Sequence, residues 1–226
     1  MINILMSRSS ALVEDWSKDE LNKILKPNMK VVVLGFSFFG NLTLEDYFLT
    51  YGTGSEYFTK INDNFSEFNI SEVNWIYYYQ TKHDEALDSI NNADILYLPG
   101  GAPDLMYERI KEKELLEALK AFKGIVIGSS AGAMIQLEHY HISPDNEYFK
   151  FSEHKGLGYI NEFFIEVHYN RRRKQKSSMR KMRKKYLKPI YTIPDDGMVI
   201  VKDSKIITLN QAKKYYNKKG VNKKEQ

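Results

Sequence analysis

The pentapeptide GSSAG (residues 128–132) has the spacing G-x-S-x-G. It follows the apolar run GIVIG and precedes a predicted helix, a setting in which a sharp turn projects the central serine hydroxyl above the edge of a sheet. Small residues two positions before and after that serine let the strand and the helix approach each other. The register selects Ser130 as a nucleophile, with Ser129 one position early, and the Ala131 amide as an oxyanion donor. A small-residue turn without chemistry is the alternative interpretation.

A second small-residue turn comes earlier, in YLPGGAPD (97–104). It also ends an apolar run and opens a predicted helix, and Gly100 and Gly101 could present bare amides to a substrate oxygen. In a parallel α/β sheet both turns fall at the carboxyl ends of strands, the edge where ligands bind. A structural turn made of glycine and proline is the alternative.

A serine hydroxyl needs a base to remove its proton, and histidine is the usual one. Among the five histidines, His168 closes the apolar run FFIEV, so its side chain should emerge at a sheet edge. The other four lie at a helix start, directly after the serine turn or in a charged loop: His83, His139, His141 and His154. The strand-end position favours His168 as the base, with a purely structural histidine as the alternative.

The histidine in turn needs a carboxylate that fixes its tautomer and stabilises the imidazolium. The candidates are Asp195 and Asp196 in the polar corner IPDDG, together with Glu166 and Asp145. Aspartates in turns commonly bind local backbone amides instead. Spacing alone does not choose among the four.

The elements that must position these residues follow an alternating pattern. Continuous apolar runs at 2–6, 31–36, 73–79, 94–100 and 124–128 are typical of parallel strands covered on both faces. Helices are predicted between them, among them residues 83–92 and 104–122. The pattern indicates a doubly wound α/β sheet, followed by a strand over 160–169 and a hairpin within 191–209 that turns at 202–204. We expect one domain over residues 1–210 and a mobile lysine-rich tail over 211–226.

Composition narrows the classes of function. The 226 residues include no cysteine, which excludes disulfides, thiolate zinc sites and a cysteine nucleophile. Apolar residues make up 42% of the chain, enough for a substantial core. The N-terminal apolar run is too short for a signal peptide and no run reaches membrane-spanning length, so we expect a cytoplasmic protein without a membrane partner.

Charge is distributed unevenly along the chain. Residues 171–185 carry ten basic side chains and no acidic one, whereas the whole chain has a net charge of +4. Such a run could bind nucleic acid. No aromatic residue is interleaved with the charges, which favours a solvated, mobile face or loop, so we do not expect a nucleic-acid partner.

The combined pattern resembles the serine-peptidase family that contains dipeptidase E and the cyanophycinases, built on the class I glutamine amidotransferase-like fold. The resemblance covers most of the chain, and the order and separations of the matching segments agree with the family. It rests on the segments INILMSRSS, YLPGGAPDL, IGSSAGAM, GLGYINEFFIEVHY and IPDDGMVIV.

By position, this resemblance implies that Ser130 is the nucleophile and His168 the base. Asp195 falls where dipeptidase E has a glutamate as third member, and Asp145 matches an aspartate also credited with a role in activity; we rank Asp195 first. Gly101 would complement Ala131 as an oxyanion donor. The chain departs from the family after its glycines, where Ala102 and Pro103 replace an asparagine and a threonine.

The resemblance further implies a serine exopeptidase that cleaves short peptides, with dipeptides carrying an N-terminal aspartate as the expected substrates. The basic side chains that follow His168 could hold the substrate carboxylate: Arg171, Arg172 and Arg173. No metal or organic cofactor is expected, and the protein would be a monomer or homodimer. The alternatives are a cyanophycinase-like hydrolase of other selectivity and a catalytically silent binding protein on the same fold.

Overall fold

The structure is a computed structural model that describes residues 1–40 and 42–215. Over these residues its strands are β1 (Ile2–Met6), β2 (Val31–Gly35), β3 (Val73–Tyr77), β4 (Ile95–Leu98), β5 (Ile125–Ser129), β6 (His139–Ile142), β7 (Ser152–Lys155), β8 (Phe164–Val167), β9 (Ile190–Ile193), β10 (Gly197–Lys202), β11 (Lys205–Asn210) and β12 (Lys213–Lys214). Its α-helices are α1 (Asp15–Ile24), α2 (Leu44–Tyr51), α3 (Glu56–Ser66), α4 (His83–Asn91), α5 (Pro103–Glu112), α6 (Leu116–Ala121), α7 (Ala131–Met134) and α8 (Arg173–Tyr186).

A seven-stranded sheet forms the centre of the described part of the chain, in the order β11-β10-β1-β5-β4-β2-β3. The strands from β1 to β3 in that order are parallel, and β10 and β11 are antiparallel additions at one edge. Helices α1 to α3 contribute to the apolar core on one face and α4 to α6 to the core on the other. Burial on both faces explains why these strands are continuous apolar runs, and the architecture confirms the predicted α/β class.

A smaller sheet completes the positioning of the site. Within the described residues, β8 and β9 pair in parallel, with Val167 opposite Ile193, and β12 lies antiparallel to β9. Strands β6 and β7 form a separate antiparallel pair. A third apolar core joins these strands to α8 and to one face of β10.

The predicted helix over 104–122 is two helices. The backbone of Glu114 is left-handed (φ 56°), and the amides of Glu114 and Leu115 donate to the carbonyls of Lys111 and Ile110, as in a Schellman motif. Leu115 is buried in the same core as Ile110. This apolar contact ends α5 without the glycine that usually marks such a stop.

The C-terminal third also differs from the sequence prediction in detail. The hairpin is β10 and β11 and turns at Asp203 and Ser204, both with positive φ, whereas residues 190–193 belong to the smaller sheet. The basic segment, predicted as a solvated mobile face or loop, forms helix α8 from residue 173 onward. At the start of the predicted tail, β12 pairs with β9, and residues 216–226 lie outside the described residues. None of the described helices has the length and apolarity needed to span a membrane.

Candidate active site

Ser130 lies at the sharp turn between β5 and α7 with φ 49° and ψ −109°. Residues other than glycine rarely adopt this backbone conformation. The neighbouring glycines make this turn possible. A Cβ on Gly128 would lie 2.1 Å from the carbonyl oxygen of Gly132, and a Cβ on Gly132 would lie 1.8 Å from that of Leu98. The small residues are therefore required where strand and helix meet, and the turn has the backbone of a nucleophile elbow.

Ser129 points to the other side of the turn. It is buried, and its hydroxyl lies 3.2 Å from the phenolic oxygen of Tyr97. Burial raises the pKa of Tyr97 to about 12, so this tyrosine is neutral in the core. The structure thus separates the two adjacent serines into a core residue and one that lines a cavity.

The parallel pairing of β8 with β9 brings His168 and Asp195 to the same edge, because they follow these strands by one and two residues. The Nε2 atom of His168 lies 3.0 Å from the Ser130 Oγ, and its Nδ1 atom lies 2.6 Å from Oδ1 of Asp195. Three residues from three separate strand ends therefore form one hydrogen-bonded chain.

The direction of these two hydrogen bonds follows from the acceptor at one end, Asp195. A carboxylate only accepts hydrogen bonds, so the proton of neutral His168 is on Nδ1 and is donated to Asp195. The Nε2 atom is then left as an acceptor for the Ser130 hydroxyl. This is the tautomer in which an imidazole can remove a proton from serine.

The other proposed orienting carboxylates do not contact His168. Glu166 is buried and accepts hydrogen bonds from His141 Nε2 at 2.7 Å and from the Ser143 hydroxyl at 2.9 Å. Asp145 lies in the cavity rim, where its Oδ1 accepts from two backbone amides of its own turn. Asp196 is exposed to solvent next to Asp195.

The loop of the other predicted turn lies against the nucleophile through Gly100. A Cβ on Gly100 would be 3.4 Å from the Ser130 Cβ. Gly101 has φ 139°, and a Cβ there would be 1.9 Å from the carbonyl oxygen of Ser37. Ser37 holds this loop from the opposite side, because its hydroxyl donates to the Gly100 carbonyl and its carbonyl accepts from the Ala102 amide.

A cavity of about 620 Å³ opens beside the serine. Its wall includes Gly101, Ser130, His168 and Asp195 together with Arg172, the residue that precedes α8. All three arginines are exposed to solvent, but Arg171 and Arg173 do not belong to this wall. Of the three predicted arginines, the structure therefore brings one to the cavity.

Two residues at this site have no counterpart in the sequence predictions. The guanidinium of Arg8 lies 2.5 Å from Oδ2 of Asp195, and the hydroxyl of Ser7 accepts the backbone N–H of His168. Both follow β1 directly, so the rule that ligands collect at the carboxyl ends of parallel strands could have indicated them.

Comparison with known proteins identifies similar chains. The family model of Peptidase family S51 matches residues 49–209. A candidate peptidase E protein from Listeria monocytogenes EGD-e has a similar structure, with a TM-score of 0.62, 18% identity and coverage of 92% of this chain and 96% of that one. A peptidase from an acI-B1 Actinobacterium is also similar, with a TM-score of 0.51, 15% identity and coverage of 95% and 93%. These two structures have the same fold.

A curated protein gives a shorter match. Over 73 residues the chain is 34% identical to cobyrinate a,c-diamide synthase of Methanocaldococcus jannaschii. The match covers 32% of this chain and spans 16% of the length of that protein. The likeness is therefore confined to a small part of the relative.

Proposed function

The chain belongs to peptidase family S51 and is a serine-type peptidase, and from that premise we propose that it is an exopeptidase of the dipeptidase E type. It would cleave short peptides with an N-terminal aspartate by acyl transfer. The observation that carries the proposal is the hydrogen-bonded chain from Ser130 through His168 to Asp195.

In the proposed reaction, the Ser130 oxygen attacks the peptide carbonyl carbon while Nε2 of His168 takes the hydroxyl proton. Asp195 stabilises the imidazolium that results. The tetrahedral intermediate collapses as His168 returns the proton to the leaving amine, which leaves an acyl-enzyme. A water molecule, deprotonated by the same imidazole, then releases the acid and restores the serine.

The oxyanion of the intermediate needs donors that are not already used. The amide of Ser130 donates to the Met6 carbonyl at 2.8 Å, so we assign the role to the next amide, that of Ala131, which is the first of α7 and has no acceptor within the helix. The Gly101 amide would be the second donor, since its loop lies against the nucleophile. The contact between Gly100 and Ser130 keeps that loop close.

The substrate assignment rests on the cavity wall and on the family. Arg172 is the arginine in that wall, and a guanidinium can bind a carboxylate through two parallel hydrogen bonds. A cavity of about 620 Å³ accommodates a small ligand. We therefore assign Arg172 to the side-chain carboxylate of an N-terminal aspartate.

Arg172→Ala is expected to lower kcat/KM for Asp-Leu by about 10- to 100-fold, because a hydrogen bond to a charged group contributes about 1.5–3 kcal/mol. The hydrolysis of Asp-Leu and of uncharged Asn-Leu is measured side by side. Arg171→Ala and Arg173→Ala are the matched controls and should change the Asp-Leu rate by less than about twofold. Equal losses in all three variants would contradict the assignment.

A fluorophosphonate probe tests the function itself. The folded protein should be labelled, and peptide mass mapping should find the adduct on Ser130. A panel of Asp-Xaa, Xaa-Asp and β-aspartyl dipeptides then separates the dipeptidase from a cyanophycinase-like hydrolase of other selectivity. Folded protein that neither reacts with the probe nor cleaves the panel would favour the silent binding protein.

A further inference from the structure

We propose that Ser7 and Arg8, the two residues that follow β1, are positioning residues that hold His168 and Asp195 in line with the nucleophile. The proposal rests on the proposed function, since it concerns how the same three residues are aligned. Residues 6–8 also lie outside the range 49–209 that matches the family.

The position of β1 makes this role possible. The strand lies between β5 and β10 in the central sheet, and Met6, its last residue, pairs with Ser129 on one side and Met198 on the other. The Met6 carbonyl accepts the backbone N–H of Ser130 at 2.8 Å. The end of β1 thereby fixes the strained backbone of the nucleophile turn.

Ser7 connects β8 and β9 of the smaller sheet to this end of β1. Its hydroxyl accepts the backbone N–H of His168 at 2.8 Å and donates to the carbonyl of Ile193 at 2.7 Å. Ser7 is 2% exposed. Its hydroxyl can form both bonds at once, because it donates one and accepts the other. His168 itself has a left-handed backbone (φ 49°), so this bond stabilises a conformation that is costly by itself.

Arg8 binds Asp195, the third member of the proposed triad. Its Nη2 atom lies 2.5 Å from Oδ2 of Asp195, whose other oxygen accepts from His168. The side chains of Asp195 and His168 are 40% and 45% exposed, so packing alone restrains neither of them fully. The guanidinium selects one orientation of the carboxylate.

Three consecutive residues thus each bind one member of the proposed triad. Met6 binds Ser130, Ser7 binds His168, and Arg8 binds Asp195. Since Ser130 comes from the central sheet and the other two from the smaller sheet, these bonds join the two halves of the site. A shift of about 1 Å between reacting groups can lower a rate about 100-fold, which makes the alignment consequential.

The first test is Ser7→Ala. It should lower kcat for Asp-Leu and the second-order rate constant of fluorophosphonate labelling by about 10- to 100-fold, with little change in KM. Ser7→Thr retains the hydroxyl and should recover most of the rate. Ser17→Ala is the matched control, because Ser17 is a fully buried serine whose hydroxyl donates to the Ala11 carbonyl at 2.6 Å; its labelling rate should equal that of the wild type.

Arg8 provides a test that does not depend on a buried substitution. Its side chain is 61% exposed, so Arg8→Gln should fold normally while kcat falls by about tenfold or more, and Arg8→Lys should recover part of the loss. The matched control is Lys18→Gln, which breaks the exposed ion pair with Glu67 at 3.1 Å and should leave kcat unchanged.

Double variants separate positioning from a general loss of structure. In the His168→Ala background, Ser7→Ala should cause no further loss of labelling rate, because residues that act as one unit are not additive. Additive losses, or Ser7→Ala and Arg8→Gln variants with wild-type rates, would overturn the proposal. Absence of labelling in the wild type would instead refute the proposed function.

Discussion

Ser130→Ala is expected to lower kcat about a million-fold, the size of effect found when the nucleophile of a serine peptidase is removed. Without the Oγ atom no acyl-enzyme can form, and the remaining cavity and amides supply only binding and residual electrostatic stabilisation. The measurement is single-turnover hydrolysis of Asp-Leu together with fluorophosphonate labelling. KM should change far less, because the serine contributes little to ground-state binding.

Ser129→Ala is the matched control for this prediction. It removes a hydroxyl one residue away, and that hydroxyl is buried against Tyr97. Its activity and labelling should stay within about threefold of the wild type, whereas its stability should fall by about 1 kcal/mol through loss of a buried hydrogen bond. Labelling that disappears in Ser129→Ala and persists in Ser130→Ala would show that the register of the turn was assigned wrongly.

The sequence could predict the nucleophile turn and the central strands because both depend on local patterns. The turn needs small residues at fixed offsets, and the collisions that side chains at Gly128 and Gly132 would cause explain why. Strands buried on both faces are continuous apolar runs in the sequence. Local physical requirements of this kind leave a signal within a few residues.

The contact between His168 and Asp195 depends on pairing between distant segments. The two residues are 27 positions apart, and they meet because β8 and β9 lie in parallel with α8 between them. The sequence indicates that His168 ends a strand, but it predicts the partner strand as part of a hairpin. For this reason the spacing of the residues alone leaves four carboxylates open, and only the family resemblance ranks Asp195 first.

The sequence does not predict helix α8, because its many charged residues obscure the periodicity of its buried positions. Within this basic segment the buried positions are Gln175, Ser178, Met179 and Met182, the spacing of i, i+3, i+4 and i+7 that marks one face of a helix. Two of the four are polar, which weakens the periodic signal. Ser7 and Arg8 directly follow a predicted strand, but their partners lie more than 150 residues away, so the sequence does not indicate which groups they bind.

Asp195→Asn should lower kcat about ten-thousand-fold with little change in KM, the effect seen when the orienting carboxylate of a serine triad becomes an amide. An asparagine can present its NH₂ group to the imidazole, which favours the tautomer with the proton on Nε2 and so blocks the base. It also removes the negative charge that stabilises the imidazolium and that pairs with Arg8. The steady-state kcat for Asp-Leu and the rate constant of fluorophosphonate labelling should fall together.

Asp145→Asn is the matched control, because it is the same change on the competing carboxylate. The amide oxygen of an asparagine can still accept from the backbone amides of Glu147 and Tyr148, as Asp145 Oδ1 does, so the loop should keep its shape and activity should change only a fewfold. Asp195→Glu, which keeps a carboxylate, should retain more activity than Asp195→Asn. A thousandfold loss in Asp145→Asn beside a small loss in Asp195→Asn would transfer the orienting role to Asp145, because only the carboxylate that fixes the base can have so large an effect on kcat.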